Sequence, residues 1–463
     1  MIVATLPRLG RELDLSPTTA VWLVLAASAT TAGLMLPVGR WADVSSKRTA
    51  FVIGAGGYAL SAGLAAVAPS VAWLLGARAL QGAFNALLLV LVVTVAVESA
   101  GARGRAAAVG LLTAIGPFAN MTAPQLAAIL IPNFGWRSVF LVSVPLCLIS
   151  AVTGWFALPG KGHSAVPRPR WLIEAGAMTL AITSLFLLLR QLPEGGHDVL
   201  PAAGLGLLCT IGIATWVQLP QAHGIFRLVA ARRMGSPLGA LAAMAFSAGV
   251  IAFAVPYFLL VDLHTTLQVA ALAFISLAFA QTLSSVAGGY AISRLGGWPV
   301  AIAGAGIMAA GALLVLPLDP TWSPVGVAWR IAVFGIGSGL VGGSNQSTVM
   351  GLAPWHHGGA TSAVSGVSRN LSYAIGAASA STLASILPVP LEGLRWALGA
   401  ALVVCVAAFV GAVRLRALLT HLDRIDHHPS PHLSHVPLHR LDGLAHDPAH
   451  PHYKAPERLH IDK

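Results

Sequence analysis

The chain has 463 residues and a formal net charge of +11, yet only 9% of its residues are charged and 56% are hydrophobic. Soluble domains carry about 25% charged residues, so this composition excludes a soluble enzyme or a nucleic-acid-binding domain and indicates a helical membrane protein. The mean hydropathy of +0.78 agrees. Cys147, Cys209 and Cys405 lie in apolar segments and offer no disulfide framework or metal-ligand spacing. We therefore predict no enzymatic activity, no cofactor and no metal site.

Thirteen apolar runs follow one another along the chain, and each is long enough to cross a bilayer as a helix of about 20 residues. They lie at about 18–38, 49–69, 71–97, 105–131, 137–158, 171–190, 200–219, 237–261, 267–290, 298–317, 325–350, 358–388 and 391–413. Residues 1–9 predict the end of an incomplete first helix, whose first half would precede Met1. The predicted fold is all-α and polytopic, with thirteen full helices plus this partial one.

The runs group as six, two and six when the partial helix is counted. This grouping predicts an N-terminal bundle (1–158), a two-helix insert with a basic linker (159–233), a C-terminal bundle (234–413) and a tail (414–463). The tail holds ten of the sixteen histidines and no apolar period, so we predict that it is disordered. We do not interpret its histidine spacings as a physiological metal site.

The cations in the short loops predict the orientation, because cytoplasmic loops carry an excess of Lys and Arg. With residues 39–48 in the cytoplasm, twelve loop cations lie on the cytoplasmic side and five outside. We therefore predict a multi-pass protein of a bacterial-type plasma (inner) membrane with a cytoplasmic C-terminal tail. We expect it to be a monomer in the lipid bilayer, without a nucleic-acid partner.

An internal repeat relates the two six-helix sets. The polar segment GRWADVSSKR at 39–48, predicted to be a loop after a second helix, matches GYAISRLGGW at 289–298 in the later set. Arg78 and Arg330 also correspond, and each is followed by a glycine four or five residues later. Two matches in the same register indicate that the six-helix unit is repeated.

Residues 39–48 resemble the signature between helices 2 and 3 of the major facilitator superfamily, G-x-L-A-D-R-x-G-R-K. The matching positions are Gly39, Ala42, Asp43, Lys47 and Arg48. Val44 and Ser46 stand where the family usually has Arg and Gly.

Other stretches resemble the 14-helix drug:proton antiporter branch of that superfamily. RALQG at 78–82 is similar to its fourth-helix arginine motif, and SRN at 368–370 to its penultimate-helix S-R-Q segment. WRSVFLVSVP at 136–145 resembles its W-R-W-I-F-L-I-N-V-P run. Gly116 and Pro117 match the Gly-Pro of its fifth helix, although Asn120 and Met121 replace the small residues that usually follow. The resemblance covers about residues 1–413 and implies this branch, with a truncated first helix.

The resemblance implies a secondary transporter that exports drug-like hydrophobic or amphipathic molecules in exchange for protons. Asp43 can accept hydrogen bonds from helix N-terminal amides and pair with cations, so we expect it to act in a latch between the bundles. Arg294 is its possible partner across the bundles, and Glu98 is either part of the cluster or a solvated carboxylate. The predicted latch consists of Gly39, Asp43, Lys47, Arg48, Glu98 and Arg294.

Three arginines lie inside apolar runs, where each costs at least ~2.5–3.5 kcal/mol on insertion scales. We expect a functional role for Arg78, together with Gln81 and Gly82 of its motif; the alternative is a structural arginine bonded to backbone carbonyls. Arg330 and Arg369 are functional, or they snorkel to the interface or brace neighbouring helices. Gly116 and Pro117 predict a kink with close helix packing, as a hinge would need.

Polar residues in the same helices are candidates for a cavity lining. For each of them the alternative is an interhelical hydrogen bond, worth about 0.6 kcal/mol. The candidates are Asn85, Asn120, Gln125, Asn345, Gln346 and Asn370.

Proton antiport needs a titratable group within the span, and the acids of the runs all lie near run ends. These are Glu98, Glu174, Asp262 and Glu392. The antiporter branch usually carries an Asp in its first helix, at a position that would precede Met1 here. Two alternatives therefore remain: an exporter of lipid or an endogenous metabolite, and a transport-dead membrane scaffold or sensor.

Overall fold

The computed structural model describes residues 17–160, 168–191, 199–231, 234–354 and 357–426, and every regular element in them is a helix. The helices are α1 (Pro17–Val44), α2 (Lys47–Ala66), α3 (Val71–Phe134), α4 (Arg137–Leu141), α5 (Ser143–Ala157), α6 (Pro169–Gln191), α7 (Val199–Gln218), α8 (Pro220–Ala231), α9 (Gly235–Tyr257), α10 (Leu267–Leu295), α11 (Gly297–Val315), α12 (Pro324–Leu352), α13 (Gly358–Ile386) and α14 (Pro390–Asp426). A π-helical turn, Phe258–Asp262, follows α9. The predicted partial helix at 1–9 and the histidine-rich residues after 426 lie outside the described residues.

Each of the thirteen apolar runs is a helix or a helix segment, which confirms the predicted all-α polytopic fold. Two runs form the two arms of α3, because Gly101 has a φ of 63° and interrupts the helix. Glycine adopts a positive φ readily because it lacks a Cβ. We call the arms α3a (Val71–Gly101) and α3b (residues 102–134). Ten helices of the described residues are long and apolar enough to cross a membrane.

The two segments predicted as loops are mostly helical. α1 continues through Asp43, so that only Ser45 and Ser46 separate it from α2. α10 likewise runs to Leu295, and Gly296 with a φ of 84° forms its junction with α11. After the glycine that begins each segment, neither contains a helix-breaking residue before these points, so the helices extend into the polar stretch. α14 also continues to Asp426, so the disorder predicted from residue 414 does not apply to residues 414–426.

The helices pack as an N-terminal group, α1–α5, and a C-terminal group, α9–α14. In the first group α1 and α2 pack on α3, and α2 also packs on α5. In the second group α10 and α11 pack on α12, and α9 packs on α13. The core of the C-terminal group contains fully buried Phe258, Met308 and Phe334. Small residues elsewhere in these helices allow the close approach that is typical of membrane helices.

The two groups meet through α1 with α13 and through α3 with α10. A Cβ added at Gly39 of α1 would stand 2.6 Å from the carbonyl oxygen of Gly359 on α13. A Cβ added at Gly110 of α3b would stand 2.8 Å from the carbonyl oxygen of Ser285 and 2.9 Å from the Cα of Gly289 on α10. Both contacts lie toward the end of the molecule where α1 ends at Val44 and α13 begins at Gly358. We call this the Asp43 end.

The two-helix insert, α6 and α7, is a hairpin that packs on α1 through α6. The backbones approach closely, since a Cβ added at Gly33 would overlap Thr179. The basic linker after the insert forms α8, a helix that the sequence analysis did not predict. α8 is amphipathic: Ala222 and Ile225 are buried whereas His223 and Arg227 are exposed. A helix of this kind is suited to lie at a membrane surface.

Candidate functional site

A central cavity of about 840 Å³ lies between the N-terminal and C-terminal helix groups. Its lining comes from residues nearer the start of α1 and α3a and nearer the end of α9 and α13, and therefore away from the Asp43 end. Most of the wall is apolar. Its polar and aromatic members are Ser28, Thr31, Tyr58, Arg78, Gln81, Asn85, Phe186, Phe253, Asn370, Tyr373 and Ser381.

Arg78 is the one cation among the described lining residues. Its Nε donates a hydrogen bond of 3.1 Å to the carbonyl oxygen of Leu23 on α1, and its Nη1 donates to Oε1 of Gln81. The guanidinium group has five N–H donors, and these bonds use two of them. Arg78 therefore joins α3a to α1 and keeps donors for the cavity.

The residues that follow Arg78 form the contact between α3a and α1. Gln81 is almost fully buried, and a Cβ at Gly82 would overlap the carbonyl group of Ala27. The hydroxyl of Thr31 donates to the carbonyl oxygen of Gly82 at 2.9 Å, and Nδ2 of Asn85 lies 3.4 Å from that hydroxyl. The predicted RALQG segment thus lines the cavity and packs against α1 with the same turn of helix.

The opposite wall comes from the C-terminal group. Asn370 and Tyr373 of α13 face the cavity, and Nδ2 of Asn370 lies 3.6 Å from the Sδ of Met35. Phe186 and Leu189 of the insert helix α6 also line it. The insert is therefore part of the cavity wall.

Several predicted cavity and membrane-embedded residues do not line the cavity. Arg330 donates to the carbonyl oxygen of Gly326 and lies over the Trp322 ring, with its Cζ 3.9 Å from the ring centroid, near the start of α12. Both contacts lie in α12 or in the turn before it, so they do not join Arg330 to a neighbouring helix. Arg369 lies between Ser368 and Asn370 and is not among the described lining residues.

Asn345 and Gln346 are buried in helix packing on α12. Nδ2 of Asn345 donates to the carbonyl oxygen of Val341 in its own helix, and Nε2 of Gln346 donates to the hydroxyl of Ser365 on α13 at 3.1 Å. Gln346 therefore makes the interhelical hydrogen bond of the alternative, whereas Asn345 is buried and bonds within its own helix. The side chains of Asn120 and Gln125 lie outside the described residues.

Asp43 joins the two helix groups. Its Oδ1 accepts a hydrogen bond of 2.6 Å from the backbone N–H of Gly359, and its Oδ2 accepts one of 2.9 Å from that of Ala360. These N–H groups belong to the first turn of α13, where a helix lacks internal acceptors and carries a partial positive charge. The side chain is thus a cross-group cap on α13.

Of the other predicted latch residues, Gly39 meets Gly359 across the two groups, whereas the charged members make no bond between the groups among the described residues. Nζ of Lys47 lies 3.7 Å from Oε1 of Glu98, whose side chain is 41% exposed. Nε of Arg48 donates to the carbonyl oxygen of Leu158 within the N-terminal group. Arg294 is exposed in the last turn of α10, and no ion pair between it and Asp43 occurs among the described residues. The predicted pairing of Asp43 with Arg294 is therefore absent, because α13 supplies the partner.

A buried ion pair at the Asp43 end was missed by the sequence analysis. Glu174 of α6 is 0% exposed; its Oε2 accepts from Nη1 of Arg40, and its Oε1 accepts from Nε1 of Trp216 on α7 at 3.1 Å. Nη2 of Arg40 also donates to the carbonyl oxygen of Gln221 at 3.3 Å. The signal in the sequence is an acid six positions into α6, but its place near a run end does not by itself indicate a buried partner.

Comparison with known proteins now decides the family. The family model described as "Major Facilitator Superfamily" matches residues 1–377. The chain belongs to this superfamily. It is therefore a transporter and not an enzyme.

Relatives within the superfamily include efflux pumps at low identity. The multidrug efflux pump LfrA of Mycolicibacterium smegmatis is 24% identical over 83% of this chain and 77% of its own length. A triacylglyceride transporter of the same organism is 28% identical over 74% and 64%. The crystal structure of the human organic anion transporter MFSD10 shares the fold, with a TM-score of 0.62, 13% identity and 88% coverage of each chain.

The predicted hinge of this superfamily member differs from expectation. Gly116 and Pro117 keep helical backbone angles, and a Cβ added at Gly116 would meet no atom within 4 Å. The expected close packing at Gly116 is therefore absent. The non-helical backbone of α3 is found instead at Gly101, where the chain turns between its two arms.

Proposed function

We propose that this member of the superfamily exports hydrophobic or amphipathic small molecules by alternating access, with proton antiport as its driving reaction. The central cavity carries the proposal: its wall is mostly apolar and aromatic, with one cation and a few amides. Such a wall suits a ligand with an apolar body and a polar group. The similarity to the pump LfrA supports a drug-like substrate class.

We further place the Asp43 end, together with the C-terminal tail, in the cytoplasm, as the loop cations predict. In that orientation the two glycine contacts and the Asp43 cap close the cytoplasmic side, and the cavity lies toward the outside. Loss of the two bonds from α13 to Asp43 would then accompany opening toward the cytoplasm. Rocking of two bundles about a cavity between them is the expected motion.

The proposal of proton coupling rests on the resemblance to the antiporter branch. The described cavity lining contains no carboxylate, so the energy source is best tested directly. In everted vesicles that contain the chain, we expect an acid-inside gradient to drive accumulation of an amphipathic dye. A protonophore should stop it. If the purified protein in liposomes takes up dye equally with and without the gradient, proton antiport is contradicted and the proposed export is retained.

The cavity is tested with two charge-conserving variants. Arg78→Lys should lower dye transport about tenfold, because it loses charge-assisted bonds worth about 1.5–3 kcal/mol each. Arg330→Lys is the matched control, since Arg330 lies outside the cavity lining and its charge is kept. A chain that moves no dye, or a control that loses as much transport as Arg78→Lys, contradicts the proposal.

Lipid export is the second candidate, and similarity to a triacylglyceride transporter favours it. The same vesicles distinguish the two candidates if a fluorescent acylglycerol replaces the dye. Transport of the acylglycerol without transport of the dye would favour lipid export.

A further inference from the structure

An apolar groove of about 840 Å³ lies beside the two-helix insert and is separate from the central cavity. Its wall combines the insert with α1, α8, α9 and α13, and no charged side chain lines it among the described residues. Leu36, Ile182 and Leu371 are typical of this wall. Because α6 and α7 are long enough to cross the membrane, the groove lies at the depth of lipid chains.

A second pocket of about 770 Å³ lies at the Asp43 end, where α6 begins. Arg168 and Arg170 line it, and both are exposed. Arg40 also lines it, but its charge is matched by Glu174. Asp43 faces the pocket while its oxygens accept from α13. The two insert arginines therefore leave this pocket with a net positive charge among the described residues.

The pocket and the groove are stacked along the same helix faces. On α1 the pocket residue Arg40 lies one turn from the groove residue Leu36, and on α13 Ala360 lies one turn from Val364. On α6 Trp171 lies two turns from Met178, which is about 10 Å of helix rise. Residues spaced by four or seven share a face. A single molecule can therefore extend from the basic pocket into the apolar groove.

α8 joins the two spaces. Ile225 lines both of them, and its neighbours divide between the pocket and the groove: Leu228 lines the pocket and Val229 lines the groove. Oε1 of Gln221, which also lines the pocket, is buried and has no hydrogen-bond partner among the described residues. This oxygen can accept a hydrogen bond from a bound headgroup.

We propose that the basic pocket and the apolar groove form one binding site for an anionic phospholipid of the leaflet at the Asp43 end. The phosphate would lie near Arg168 and Arg170, and an acyl chain would fill the groove between the insert and α13. Basic pockets at membrane interfaces bind anionic headgroups in this way. The lipid would join the insert to the capped end of α13 and stabilise the closed Asp43 end.

The test measures lipid binding and does not depend on the proposed export activity. The purified full chain is titrated in detergent with phosphatidylglycerol or phosphatidylethanolamine of identical acyl chains, and bound lipid is counted by native mass spectrometry. Phosphatidylglycerol should bind more tightly. Arg168→Ala with Arg170→Ala should weaken its binding about fivefold for each arginine, or about 1 kcal/mol each. Arg414→Ala, an exposed arginine on α14 that lines neither space, is the matched control.

A groove variant separates a phospholipid from a headgroup-sized anion. Cys209→Trp fills the groove from α7 without changing charge, so it should weaken both lipids and keep their ratio. Equal binding of the two lipids overturns the proposal, as does a double variant that behaves like Arg414→Ala. Unchanged lipid binding by Cys209→Trp also overturns the proposal, because the groove then holds no acyl chain. A chain that binds phosphatidylglycerol but transports no dye retains this site and loses only the proposed export.

Discussion

At the scale of residues, few charged side chains lie within the helices, and the structure gives several of them definite partners. Asp43 accepts from two backbone amides, Arg78 donates to a carbonyl and an amide oxygen, and Glu174 pairs with Arg40. Burying a charge is costly unless it is paired and hydrogen-bonded. Breaking one of these contacts would leave a charge without its partner, so the contacts oppose a change of conformational state.

The cap that Asp43 places on α13 predicts the effect of neutralising it. Asp43→Asn keeps the shape but removes the charge that faces the positive end of α13. The closed Asp43 end should become less favourable by about 1–2 kcal/mol, a five- to thirtyfold change in the ratio of states. Distances between spin labels on the adjoining ends of α1 and α13 would report this ratio.

Glu98→Gln is the control for Asp43→Asn. Glu98 is 41% exposed, and its ion pair among the described residues is with Lys47 of its own helix group. Its neutralisation should therefore change the ratio by less than twofold. A larger effect from Glu98→Gln than from Asp43→Asn would mean that the α13 cap does not hold the two groups together.

At the scale of elements, the insert is attached to the rest of the protein by a polar network as well as by packing. Glu174 joins α6 to Arg40 of α1 and to Trp216 of α7. Removing one member of a buried pair leaves the other charge uncompensated. Glu174→Ala should therefore destabilise the fold by about 3 kcal/mol, measured by unfolding of the purified chain in detergent.

A double variant tests whether the loss of stability in Glu174→Ala comes from the unpaired charge of Arg40. Arg40→Met with Glu174→Ala should recover most of the stability, because no unpaired charge remains. Glu98→Ala, which breaks a partly exposed pair at 3.7 Å, should cost no more than about 1 kcal/mol. A double variant as unstable as the sum of the two single variants would exclude this explanation.

At the scale of the whole molecule, two contacts between the helix groups lie toward the Asp43 end, one on each side. α1 meets α13 at Gly39 and Gly359, and α3b meets α10 at Gly110 and Gly289. A Cβ added at Gly39, Gly110 or Gly359 would lie less than 3.0 Å from an atom of the facing helix, so the backbones would have to move apart to admit it. Closure of this end is thus a property of both contacts together.

Gly110→Val should hold the Asp43 end open, because its Cβ would lie 2.8 Å from the carbonyl oxygen of Ser285. Ser362 is buried at this end, so Ser362→Cys reports whether the end is open. In the Gly110→Val background it should react with a membrane-impermeant maleimide from that side at least about tenfold faster. Such a change corresponds to about 1.4 kcal/mol in the free energy between the two states. Gly76→Val is the control on the same helix, since a Cβ there meets no atom within 4 Å. Equal labelling of the two variants would show that this contact does not control closure.

The apolar runs by themselves determined the order and approximate positions of the apolar helices. The physical reason is that the bilayer core offers no water, so each spanning segment must satisfy its backbone hydrogen bonds internally as a helix. Helix formation therefore depends on the local sequence. The RALQG segment likewise predicted a functional Arg78, because an arginine so deep in an apolar run needs a partner. Amphipathic α8 and the helical end of α1 were missed because their residues are polar or basic.

Only the tertiary structure decided which residues meet. Asp43 and Gly359 are 316 positions apart, and Arg40 and Glu174 are 134 apart, so no local pattern could pair them. The sequence repeat favoured Arg294 as the partner of Asp43, but the acceptor geometry of a carboxylate is met by the free amides that begin α13. Helices follow from local hydrophobicity, whereas the cap, the buried ion pair and the cavity depend on how those helices pack.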